Sequence, residues 1–146
     1  MAITQAIANA FKKQLLEGDQ NFKSSGGDVF KLALYTSSAT LNSTTTAYAS
    51  TNEVANTGTY AAGGDPLAGQ NTSIASGVAI VDFTDLSFTG VTLTARGALI
   101  YNTSSAVTNA AVAVLDFGAD KTATSGTFTV QFPAFTTAAA ILRISG

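Results

Sequence analysis

The strongest constraint on this chain is the alternation in its last third. Over residues 126–132 (GTFTVQF), Phe128, Val130 and Phe132 point one way, and Thr127, Thr129 and Gln131 the other. A period of two belongs to a strand with one dry and one wet face. Residues 110–117 are nearly all apolar, as a strand covered on both faces would be. Between these two segments, residues 118–126 (GADKTATSG) are polar and bounded by glycine, and they read as a turn that returns the chain antiparallel. Val91-Thr92-Leu93-Thr94-Ala95 alternates again. The whole run from Val91 to Phe132 therefore predicts a β core, with helices left to the periphery.

Composition narrows the chemistry. The chain has 146 residues, enough for one domain with a real core. Hydrophobic residues make up 46 % but charged residues only 11 %, against about a quarter in an ordinary soluble domain. The polar surface must come from Ser, Thr, Asn and Gln, which repel a neighbour weakly and suit a protein packed against partners. The net charge is −2 and the seven Lys and Arg are scattered, so no cationic patch invites nucleic acid. No apolar run reaches the roughly 20 residues of a membrane-spanning helix. The N-terminal segment places its lysines after its apolar residues, the reverse of a signal peptide. Cysteine and histidine are absent, which excludes disulfides, thiol nucleophiles, Ser-His-Asp triads and His-based metal sites.

In chain order, residues 4–17 read as a short amphipathic helix capped by Thr4 and stopped at Gly18. Ile3, Ile7, Phe11 and Leu15 recur every four residues, and Leu16 widens the stripe. Residues 1–18 thus form a helix or arm that lies on the β core or docks on a neighbour. Residues 29–146 form the β domain, starting with a strand at 29–35. Residues 36–77 are a long Ser/Thr/Asn/Gly-rich excursion, with a short helix expected at 46–54. Tyr48, Val54, Tyr60 and Leu67 are its anchor points, and Glu53 is the only charge between Lys31 and Asp65. Further strands are expected at 78–83, 85–88, 91–95, 98–101, 110–117, 127–132 and 138–144, with a loop at 102–109. The predicted fold is a mainly β antiparallel sandwich, compatible with jelly-roll connections, carrying one N-terminal helix.

Candidate chemistry is sparse. Asp82 with Asp85, and Asp116 with Asp120, could act as paired acids or as calcium ligands, but neither pair has the spacing of an EF-hand. Acids at strand ends are ordinarily turn formers. Arg96 stands alone in an apolar segment and should pair with Asp82, Asp85 or Asp116. Gly26-Gly27 and Gly63-Gly64 lack the Lys-Ser/Thr that follows a phosphate-cradling loop. Nine Phe, four Tyr and no Trp lie mainly at strand positions, as core residues would. These residues predict no enzyme, no cofactor and no metal.

Three segments carry a family resemblance: ITQAIANAFKKQLLEGDQNF, FKLALYTSSATLNSTTTAYASTNEV, and TARGALIYNTSSAVTNAAVAVLDFGADKTATSGTFTVQFP. Together they resemble a family of small virion structural proteins of tailed bacteriophages. The resemblance implies a particle component with no catalytic residues to carry over. A compact, weakly charged β domain with an adhesive loop suits a capsid decoration or cement protein, a homo-oligomer (a trimer among the options) held on the major capsid protein. A tail, neck or fibre component is the alternative, and a carbohydrate- or receptor-binding module the second. The assembly contacts expected under the first reading are the helix stripe Ile7, Phe11 and Leu15 and the loop anchors Tyr48 and Tyr60. Expected partners are copies of itself and other virion proteins, with neither nucleic acid nor membrane.

Overall fold

The computed structural model describes residues 2–146. In chain order it runs β1 (Ala6–Ile7), α1 (Asn9–Glu17), β2 (Phe30–Tyr35), β3 (Asp65–Pro66), β4 (Asn71–Ala75), β5 (Val78–Asp82), β6 (Leu86–Asn102), β7 (Ala110–Val130) and β8 (Leu142–Ser145). The strands form two antiparallel sheets, one in the order β1-β7-β6-β2-β3 and a smaller one in the order β4-β5-β8. The chain is a mainly β, sandwich-like fold with one short N-terminal helix, as its alternation predicts.

The spine is a single hairpin. Residues 118–126 do not turn the chain back; they continue β7, so segments expected to be separate strands are one strand of 21 residues paired with a β6 of 17. The polar letters misled because Lys121, Thr122 and Thr124 are exposed while Ala123 faces the core. The β-branched threonines favour the extended chain. Gly118, at φ 81, opens a wide bulge where β7 takes five steps (Asp116 to Lys121) against two on β6 (Ala95 to Gly97). A smaller irregularity between Phe88 and Val91 likewise bends β6 without ending it. The reversal itself lies at residues 103–109, where the sequence places a loop.

The N-terminus also differs from expectation. The helix begins at Asn9, not Thr4, and its N-cap, Ala8, makes no side-chain cap. Residues 6–7 extend instead and pair with β7, Ala6 opposite Val114. Ile3 bridges to Leu41 and is buried. Only Phe11 and Leu15 of the four-spaced stripe therefore sit on α1, and Leu16 is 90 % exposed. The C-terminus is as read: Gly18 adopts φ 81, and Asp19 N–H reaches the Gln14 carbonyl at 2.9 Å.

Residues 36–77 are less irregular than their composition suggests. No helix forms at 46–54; that stretch is held by isolated bridges, Ala47 to Ala110 and Tyr35 to Glu53. The end of the excursion supplies β3 and all of β4. The final strand is the shorter β8, preceded by irregular residues 131–141. The two layers meet around a chain of rings. Phe22 stacks on Phe30 (4.3 Å between centroids), edges against Phe11 (5.9 Å) and tilts toward Phe83 (6.3 Å). Burying each such ring contributes roughly 1.5–3 kcal/mol, enough to lock α1 and the turn after β5 onto β2.

Candidate functional site

Two constellations stand out, and each gathers part of the set of residues read from sequence. The first lies over the face of β2 and β6 that carries Tyr35 and Tyr101. All four tyrosines of the chain fasten the excursion there. Tyr35 donates to the Ala49 carbonyl (2.7 Å) and Tyr101 to the Gly63 carbonyl (2.6 Å). Tyr48 donates to Glu53 Oε2 (2.6 Å), Tyr60 to Glu53 Oε1 (2.7 Å), and Gly63 N–H also meets Oε1 (2.6 Å). Tyr60 in turn accepts the Leu34 N–H at 2.9 Å, and Tyr48 stacks on Tyr101 at 4.7 Å. Burial, assisted by the Glu53 charge, holds the Tyr35, Tyr48 and Tyr60 phenols well above their ordinary range and pushes Tyr101 up to about 12. A carboxylate with its acceptors filled by phenols that resist ionisation is a clamp, not a proton relay. Tyr60 is 1 % exposed, so the clamp consumes it; Tyr48 is half-buried. The hub, Glu53, is missed as a site residue by sequence reasoning, although its isolation among neutral residues was the signal.

The second constellation is a cleft of about 510 Å³ between α1 and the smaller sheet. Ile7, Phe11 and Leu15 line it from the N-terminal side, and Val81, Leu142 and Ile144 from the sheet. Register partners share a face, so Thr72, Val81 and Leu142 stand beside Ile74, Ala79 and Ile144. Val81 and Leu142 join the core. The nine-residue helix covers no more than that end of the face. Beyond it, Ile74 is 73 % and Ile144 57 % exposed, and Leu16, which lines the same cleft as Ile144, is left more open still. Phe11 is 3 % exposed and belongs to the chain's own core, whereas Ile7 and Leu15 are half-buried and reach the cleft. The two sets of residues expected at an assembly contact are thus not brought together: Tyr48 and Tyr60 serve the clamp, Ile7, Phe11 and Leu15 the cleft.

The remaining candidates are structural. Arg96 pairs with Asp116 at 3.3 Å across the hairpin, one of the pairings expected. The Gly118 N–H, with Arg96 behind it, holds the Asp116 carboxyl below its usual range. Asp82 is buried and its carboxyl is raised by burial; it accepts the Phe83 N–H at 2.9 Å. Asp85 accepts the Phe132 N–H at 2.8 Å. Asn102, fully buried, donates to Gln20 (2.8 Å) and Asp28 (2.7 Å), tying the hairpin to the segment after α1. Among the described residues no cluster of acids is arranged to hold a metal ion, and no helix is long and apolar enough to cross a membrane. Neither a family model, nor a curated protein, nor a solved structure matches the chain.

Proposed function

We propose that this chain is a non-enzymatic structural protein of a tailed-phage particle, held on the outside of the capsid as a decoration or cement protein that bridges shell subunits, as a homo-oligomer. The supporting observation is the uncovered apolar row formed by Leu16, Ile74, Ala79 and Ile144 on a chain with little surface charge. Exposed apolar surface of this kind marks an interaction site. Neutral hydroxyl and amide groups around it can hydrogen-bond a partner without repelling it. The resemblance of residues 3–22, 30–54 and 94–133 to virion proteins supplies the setting.

Quantitative mass spectrometry of purified virions tests the reading. A copy number matching the major capsid protein, or a simple large fraction of it, supports decoration of the shell. A few copies per particle moves the protein to the tail or neck. Absence from the particle overturns the proposal. Leu16→Asp, at a position that contributes nothing to the core, should lower occupancy on particles while the isolated chain keeps its melting temperature.

A further inference from the structure

We infer that β8, with the irregular segment that leads to it, is a releasable strap: it leaves β5 while the rest of the chain stays folded, and its departure turns β5 into a free strand edge. The inference goes beyond the function proposed above and does not depend on it.

The way β8 is held sets it apart. It lies at the edge of the smaller sheet, and its only strand partner is β5, through the pairs Val78–Ser145, Ala79–Ile144, Ile80–Arg143 and Val81–Leu142. Leu142 is buried, whereas Arg143, Ile144 and Ser145 are exposed. The approach to β8 is no better tied. Residues 133–139 are exposed or half-buried. Among the described residues, the hydrogen bonds of residues 133–141 stay within the segment or join it to β8. Thr136 N–H donates to the Ala134 carbonyl (2.7 Å), and the Ala139 and Ala140 N–H groups to the Thr136 carbonyl (3.2 and 3.0 Å). Arg143 Nη1 donates to the Thr137 carbonyl at 3.2 Å. These bonds travel with the strap, so its release breaks none of them. What holds it is the four-pair ladder and the burial of Ala140, Leu142 and part of Ile141.

The other two strands of the smaller sheet are anchored without β8. β4 and β5 close on each other through Ser76 and Gly77, at φ 51 and 76, the left-handed pair of a tight hairpin turn. Before β4, Gln70 Nε2 donates to the Lys23 carbonyl at 2.8 Å; after β5, Thr84 N–H donates to the Ala68 carbonyl at 2.9 Å. Phe83, which follows β5, sits among Phe22, Phe30 and Phe132, with ring centroids 6.3, 5.9 and 5.8 Å away. Release of β8 therefore strips Leu142 from beside Val81 and bares one side of β5, but leaves the hairpin and the aromatic core in place. An element with so few buried contacts and a self-contained set of hydrogen bonds opens at a lower free energy than the core strands do.

The test is native-state hydrogen exchange on the full chain in mild urea, read by mass spectrometry. Amides of residues 142–145 should exchange roughly tenfold or more faster than those of residues 98–101 and 111–115, and with little dependence on urea. Leu142→Ala should speed exchange in 142–145 and 78–81 by about tenfold or more and leave 98–101 and 111–115 unchanged. A staple works in the opposite direction. The chain has no cysteine, so Ala79→Cys with Ile144→Cys, at exposed register partners, supplies a single cross-strand disulfide. Oxidation should slow exchange in 142–145 about tenfold or more, and reduction should restore it. Exchange of β8 at the rate of the core strands overturns the inference. So does a Leu142→Ala effect that reaches the core strands equally, because β8 would then open only with the whole fold. Unaltered exchange in the oxidised staple overturns it as well, because exchange would then not pass through separation from β5.

Discussion

At the scale of single residues, the decisive group is Glu53. Its carboxylate accepts three hydrogen bonds, from the Tyr48 and Tyr60 hydroxyls and the Gly63 N–H, and Tyr60 is shut off from water. Removing the acceptor leaves those donors with unmet desolvation, so Glu53→Ala should destabilise the fold by about 2–4 kcal/mol. The check is a lower urea midpoint at unchanged slope. The same cluster sets the behaviour in alkali. A phenol whose folded pKa is raised above the unfolded value of about 10 contributes stability that is complete below pH 10 or so and is lost as pH rises further. Above that pH the unfolded chain releases its phenolic protons first, so each such tyrosine tilts the balance against the fold by up to about 1.4 kcal/mol per pH unit. Tyr35 and Tyr60, the most deeply buried of the four, dominate. Tyrosinate absorbance near 295 nm should therefore stay flat past the ordinary phenol range and then rise in one step with loss of the circular dichroism signal. A gradual titration in a chain that stays folded would refute the clamp.

At the scale of elements, the question is why some strands were legible and others were not. The strands of 29–35 and 91–95 alternate or run apolar, and they lie where their letters put them. Residues 118–126 read as a turn because Thr and Ser serve turns and wet strand faces alike, and only their register with β6 decides between the two. The Ser87–Thr129 and Thr94–Thr122 hydroxyl pairs, at 2.8 and 2.9 Å, become visible once the strands are aligned. β4 was hidden for a similar reason: all five of its residues are exposed, and it exists through its pairing with β5. Of the candidate site, the spacing of Ile7, Phe11 and Leu15 was legible. The exposed row was not, because it joins residues 74, 79 and 144 across three strands. Two glycines test this reading. Gly118 at φ 81 faces open space, so Gly118→Ala should cost about 1–2 kcal/mol, the backbone term alone. Gly64 has φ 73, and a Cβ there would overlap the Leu32 carbonyl oxygen beside the β2–β3 pairing. Gly64→Ala should therefore exceed about 4 kcal/mol or fail to fold. Equal costs at the two sites, read from urea midpoints, would mean that the close approach of the excursion to β2 does not govern.

At the scale of the whole molecule, the fold draws on forces that salt barely touches. The fold rests on apolar burial and neutral hydrogen bonds. Its two ion pairs among the described residues are exposed or half-exposed, with Lys13 and Glu17 side chains 77 % and 48 % accessible. Pairs of that kind are worth about 0–1 kcal/mol and are easily screened. Raising NaCl from about 0.05 to about 0.5 M should leave the urea midpoint within about 0.5 kcal/mol of its starting value. A midpoint that falls by more than this would mean that charge supports the fold itself, and the reading of a scaffold held by apolar burial and neutral hydrogen bonds would be wrong.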